Sequence, residues 1–128
     1  STSGGDAKLG QVFAYDPAER ELTLIFESPS QEVARNLDNI TVSPRGSLIV
    51  CEDGGPQAQR VHVLSREGHI MPFAQNNIVL AGEKNGFSGD FRVREFAGAT
   101  FSPDGRWLFV NAQTPGITFA ITGEWGDI

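Results

Sequence analysis

A ten-residue pattern occurs twice in this chain: Thr41-Val42-Ser43-Pro44-Arg45-Gly46-Ser47-Leu48-Ile49-Val50 returns as Thr100-Phe101-Ser102-Pro103-Asp104-Gly105-Arg106-Trp107-Leu108-Phe109, each position displaced by 59 residues. Both copies read as a short apolar strand, a Ser-Pro-x-Gly turn and a second apolar strand. That is a β-hairpin recurring at a long period, and repeated units of this kind bury their faces against one another. A second match extends the repeat. Gly10-Gln11-Val12-Phe13-Ala14-Tyr15 aligns with Gln59-Arg60-Val61-His62-Val63-Leu64 and with Gly116-Ile117-Thr118-Phe119-Ala120-Ile121. Each is preceded by a polar loop rich in Gly or containing Pro.

Repeated four-stranded units suggest propeller blades. With strands A to D in each blade, the two hairpins are A and B and the three aligned strands are C. Leu22–Phe26 and His69–Phe73 are then D. The expected fold is all-β: a β-propeller fragment of about two four-stranded blades, in the order C-D-A-B-C-D-A-B-C. Residues 1–27 end one blade, 38–74 make a full blade, 75–97 are a long connection over one face, and 98–128 are a partial blade. In the 28–37 link, Ser30 can cap a single helical turn. Fifteen Gly, seven Pro and nine Phe in 128 residues agree with short strands and tight turns. Two blades and a remnant do not close a ring, so a homo-oligomer is expected, N-terminal strands of one copy completing the last blade of another.

A net charge of −6 and the lack of a Lys/Arg stripe argue against nucleic acid as a partner. No apolar run approaches the roughly 20 residues of a membrane span, and no export signal is visible. Lone Cys51 ends an apolar strand, where a buried structural thiol is expected. Phe101, Trp107, Phe109, Phe119, Val42, Leu48 and Val50 are expected to pack between blades.

In a propeller the D-to-A connections and B-to-C loops emerge on one face, around the channel. The polar residues there are Arg35, Asn36, Asp38 and Asn39, then Arg92, Arg94 and Glu95, with Ser3, Asp6, Glu52, Asp53, Asn111 and Gln113 on the B-to-C loops. Oxygen-rich groups of this kind suit a hard cation such as Ca²⁺. Six of these have a plainer alternative: Glu52-Asp53 and Asp38-Asn39 as turn residues, and Arg35 and Arg94, 59 apart, as scaffold contacts in place of phosphate-binding cations. His62 and His69 lack a metal-ligand neighbour at useful spacing. Gly-x-Ser-x-Gly, His-Glu-x-x-His and Cys-x-x-Cys motifs do not occur.

Asp38-Asn39-Ile40-Thr41-Val42-Ser43-Pro44-Arg45-Gly46 with Cys51-Glu52-Asp53-Gly54, and Glu95-Phe96-Ala97-Gly98-Ala99-Thr100-Phe101-Ser102-Pro103-Asp104-Gly105 running on to Gly116, resemble the PhoX-type alkaline phosphatases. The resemblance covers essentially the whole chain. It implies an exported, periplasmic or secreted bacterial phosphomonoesterase, acting on phosphate monoesters with calcium and iron at the mouth of a larger propeller. By this likeness Glu52 is the first candidate metal ligand and Glu95 the second, followed by Asp53, Asp38 and Asn39. Arg35 or Arg94 would hold substrate phosphate. The fragment is expected to be inactive alone. The alternatives are a non-catalytic propeller module for binding or structure, and a Ca²⁺-dependent lactonase-like hydrolase.

Overall fold

A computed structural model describes residues 3–126 and 128. They form strands and turns without a helix, in four small antiparallel sheets. Strands β1 (Gln11–Asp16) and β2 (Glu21–Glu27) make the first sheet. The second is four-stranded in the order β3 (Leu37–Val42), β4 (Leu48–Glu52), β5 (Arg60–Leu64), β6 (Ile70–Gln75). Strands β7 (Val79–Lys84) and β8 (Phe87–Asp90) pair as a hairpin. The last sheet holds β9 (Phe96–Phe101), β10 (Trp107–Ala112) and β11 (Ile117–Thr122), with β10 in the middle. The 75–97 connection, expected without strands, carries that hairpin. Asn85 and Gly86 at its turn both have positive φ, as a two-residue hairpin turn requires. The Ser30 turn is single: Val33 and Ala34 donate to the Ser30 carbonyl, and no helix follows.

Three of these sheets pack in layers, because alternate side chains of β4 leave the sheet on opposite faces. Val50, with Leu37 and Leu64, joins Val12 and Phe26 of the first sheet in one core. Ile49 and Cys51, with Val61 and Val63, join Phe96, Ala99, Leu108 and Val110 of the last sheet in another. Both faces of the middle sheet are thereby covered. Cys51 is fully buried as expected, and burial, with the charge of Asp38, pushes its thiol up to about 12.

The two hairpins are not strictly equivalent. Gly46 and Gly105, at φ +93° and +69°, close both turns, but Ser43 N–H donates to Ser47 whereas Ser102 N–H donates to Trp107. The second turn holds one more residue. Val42 pairs with Leu48 and Phe101 with Leu108, so the strands after the turns match at a displacement of 60, one beyond the sequence repeat. A slip of one residue exchanges the faces of a strand. Structurally Val50 corresponds to Val110, and Leu37 opposite Glu52 corresponds to Phe96 opposite Ala112.

The β1–β2 and β5–β6 pairs agree more closely. Each carries a register shift at the same place, between Val12 and Phe13 and between Val61 and His62. Two residues expected in packing are not covered. Val42 is 61% exposed because the two strands of the first sheet cover β4, β5 and β6 but leave the Ile40–Val42 end of β3 open, and Trp107 lies on the outer face of the last sheet.

Candidate functional site

Glu52 ends β4 on the same face as Val50, fully buried, and both its oxygens are taken up by donors. Oε1 accepts from Arg35 N–H at 3.2 Å and from the Arg60 guanidinium at 2.7 Å, and lies 3.0 Å from His62 Nε2. Oε2 accepts from Arg60 N–H at 3.0 Å and lies 3.4 Å from Arg35 Nη2. Arg60 also donates to the carbonyls of Gln31 and Glu32, and Arg35 to that of Ala58, so one carboxylate ties the β2–β3 link to β5. Burial opposes its ionisation, but hydrogen bonds from His62 and Arg60 outweigh that and hold its pKa below the usual carboxylate value.

The other candidate acids gather at one end of the middle and last sheets. Asp53 follows β4 and Glu95 precedes β9. Asp53 N–H donates to the Asn36 carbonyl and Gln113 N–H to that of Glu95, the same clasp in both sheets. A hydrogen bond shared with Asp53, then burial, then the charges of Asp53 and Asp38, push the Glu95 carboxyl up to about 7. Asp38 is exposed on β3 and lines a cleft of about 280 Å³ with Gln11, Phe13 and Ile40. Asn39 is engaged elsewhere: its side-chain oxygen accepts from Ala99 N–H at 3.0 Å, bridging β3 to β9.

Arg35 and Arg94, equivalent in the repeat, part company here. Arg35 is buried against Glu52, and Arg94 is exposed. The structure thus brings together Asp53, Glu95 and Asp38 in one electrostatic group, and Glu52 with Arg35 in another. Arg60 and His62 are the members that sequence reasoning missed. Their signal was present: two polar residues at alternate positions of an otherwise apolar strand, which share a face and need a buried partner.

Residues 3–116 match the family model described as alkaline phosphatase PhoX. The chain belongs to the PhoX alkaline phosphatase family. The resemblance carried by Asp38–Gly46, Cys51–Gly54 and Glu95–Gly116 is therefore borne out. No curated protein and no solved structure matches the chain.

Carboxylate oxygens are the right chemistry for the calcium that PhoX resemblance implies, but Ca²⁺ takes six to eight oxygen ligands in all, from carboxylates, carbonyls and water. Among the described residues no group of three or more His, Cys, Asp or Glu side chains comes together to hold a metal. The described residues alone do not complete such a site. Glu95, its carboxyl raised to about 7 beside Asp53, changes charge near neutral pH.

That pairing has a measurable cost to the fold. Because Glu95 is raised from 4.5 to about 7, the native state holds a proton that the unfolded chain has released, and stability falls as pH rises through that window. Glu95→Gln is expected to stabilise the protein by about 1 kcal/mol above pH 7, a value discounted for solvent screening, with no gain below pH 4.5. Urea titrations across that range check it. A gain independent of pH would show that the shared proton plays no part.

Proposed function

We propose that this chain is part of a β-propeller phosphomonoesterase whose carboxylates at one rim serve a calcium- and iron-dependent reaction on phosphate monoesters in the periplasm or outside the cell. The family match over residues 3–116 carries this reading. The layered sheets support the propeller, with β3 to β6 as one A-to-D blade, β1–β2 as the C and D strands before it and β9–β11 as the A to C strands after it. In this reading the neighbouring Asp53 and Glu95 lend oxygens to a cation whose remaining ligands come from outside these residues. Arg94, being exposed, is better placed to meet substrate phosphate than Arg35.

The chain alone is expected to hydrolyse nitrophenyl phosphate negligibly, with or without added Ca²⁺ and iron. Robust metal-dependent turnover would overturn the claim that it is catalytically incomplete. Calcium should raise the melting temperature of the wild type more than that of Asp53→Asn, since a ligand that binds only the native state stabilises it. An equal response in both removes Asp53 from the cation site.

One observation favours a second reading, a non-catalytic propeller module. Glu52, the first candidate ligand, has its oxygens filled by Arg35, Arg60 and His62. The assay decides between them only when the activity is measured in a chain carrying the remaining ligands.

A further inference from the structure

Ser28 follows β2 and Asn76 follows β6, and both are polar residues only 1% exposed. The same backbone bond sets each of them. Ser28 N–H donates to the Gly10 carbonyl at 3.1 Å and Asn76 N–H to that of Gln59 at 2.7 Å, Gly10 and Gln59 being the residues just before β1 and β5. Their side chains then reach across the link to the next sheet. Ser28 Oγ donates to the Ala34 carbonyl. Asn76 Nδ2 donates to the carbonyls of Phe91 and Arg94, both at 2.9 Å, while its Oδ1 accepts from Ile78 N–H at 3.0 Å. The whole side-chain amide of Asn76 is thereby used, as burial requires. Each buckle ends just short of a carbonyl held by the clasp described above, that of Asn36 or of Glu95.

The second link differs from the first by an insert. Phe91 N–H donates to the Ile78 carbonyl at 2.9 Å, so the chain returns to the place it left, with β7 and β8 in between. Residues 81–90 are exposed throughout. Gln59 N–H, donating to the Arg92 carbonyl at 3.0 Å, holds the middle of the returning 91–94 turn, and the Asn76 amide holds its two ends. Glu95 comes next, and a misplacement of about 1 Å at a reacting group can cost about a hundredfold in rate.

We infer that Asn76 is a positioning residue for the rim: through the main chain it sets Arg94 and Glu95, and the β7–β8 hairpin is an insert on which their placement does not depend. The inference rests on the reading of Arg94 and Glu95 as groups that face substrate and cation.

Kinetics in a chain carrying the remaining ligands, together with amide exchange in the 128-residue chain, tests it. Asn76→Ala should lower kcat/KM for nitrophenyl phosphate by about tenfold or more. Asn76→Asp, of the same shape but without the Nδ2 donor, should be impaired as strongly. In both variants exchange should quicken at Gln113, whose N–H meets the Glu95 carbonyl, while the β4–β5 ladder stays protected. Replacing residues 79–90 by Gly-Gly, so that the Ile78–Phe91 bond closes a β-turn, should change neither readout. Full kcat/KM in Asn76→Ala overturns the inference. So does an equal loss on removing the hairpin, which would make the hairpin itself part of the site. If the wild type does not turn over, the phosphatase reading fails and exchange decides this one: unchanged protection at Gln113 in Asn76→Ala, or a uniform loss that includes the β4–β5 ladder, overturns it.

Discussion

Glu52→Gln is expected to destabilise the protein by about 3 kcal/mol, because removing one member of a buried ion network leaves the others uncompensated in a low-dielectric site. The amide keeps the shape of the carboxylate but removes the charge that faces Arg35 and Arg60, whose side chains are only 8% and 16% exposed. It also puts an N–H₂ group where donors converge from Arg60 and the Arg35 backbone. The loss should depend on pH with a definite sign. A depressed folded-state pKa gives stability that is present above the usual value of 4.5 and disappears as pH falls through the folded value. Wild type and Glu52→Gln should therefore converge in acid. Urea unfolding at neutral pH and near pH 3 measures both. A neutral-pH loss below about 1 kcal/mol, the scale of an exposed ion pair, would mean that the network is solvated in solution.

The comparison of Glu52 with its counterparts explains what was legible in the sequence. Strand positions were, since alternation of apolar residues and Ser-Pro-x-Gly turns act locally: β2 and β6 fall on the segments taken as outer strands, and β3, β4, β9 and β10 on the repeated hairpins. Register was legible only to within one residue. The extra residue in the second turn, ending at Trp107 where the first ends at Ser47, is invisible in a gapless repeat and exchanges which side chains face the core. By the 59-residue displacement, Glu52 matches Asn111. By the hydrogen-bonded ladder it matches Ala112, and a buried carboxylate against a buried alanine is a different chemical statement. Glu52 looked like a rim residue because it adjoins Asp53 and two glycines. Its partners Arg60 and His62 come from another strand, and that proximity exists only after folding. The β7–β8 hairpin escaped notice because Val79–Lys84 and Phe87–Asp90 are short, largely exposed and rich in Gly.

The same correspondence yields a design whose outcome should run opposite to that of the single substitution. The last sheet fills the equivalent region with Phe96 and Phe119, edge to face at 6.4 Å, beside Ala112 and Ile117, whereas the middle sheet has Leu37, His62, Glu52 and Arg60. Leu37→Phe, Glu52→Ala, Arg60→Ile and His62→Phe together transplant that apolar arrangement. Buried ion networks exchanged as a unit for well-packed apolar groups are often neutral or stabilising, because the desolvation of every charge is removed along with the attraction. His62 adds to the gain, since its Nδ1 is buried without a hydrogen-bond partner and phenylalanine carries no such atom. Arg35 limits it, keeping only its bond to the Ala58 carbonyl. The quadruple variant is therefore expected to recover about 2 kcal/mol of the loss caused by Glu52→Gln, and to lose the wild type's dependence on Glu52 ionisation. Thermal and urea unfolding of the three proteins side by side decides it. A quadruple variant less stable than Glu52→Gln would show that the middle sheet is shaped around its charges and that matching register does not make the two interiors interchangeable.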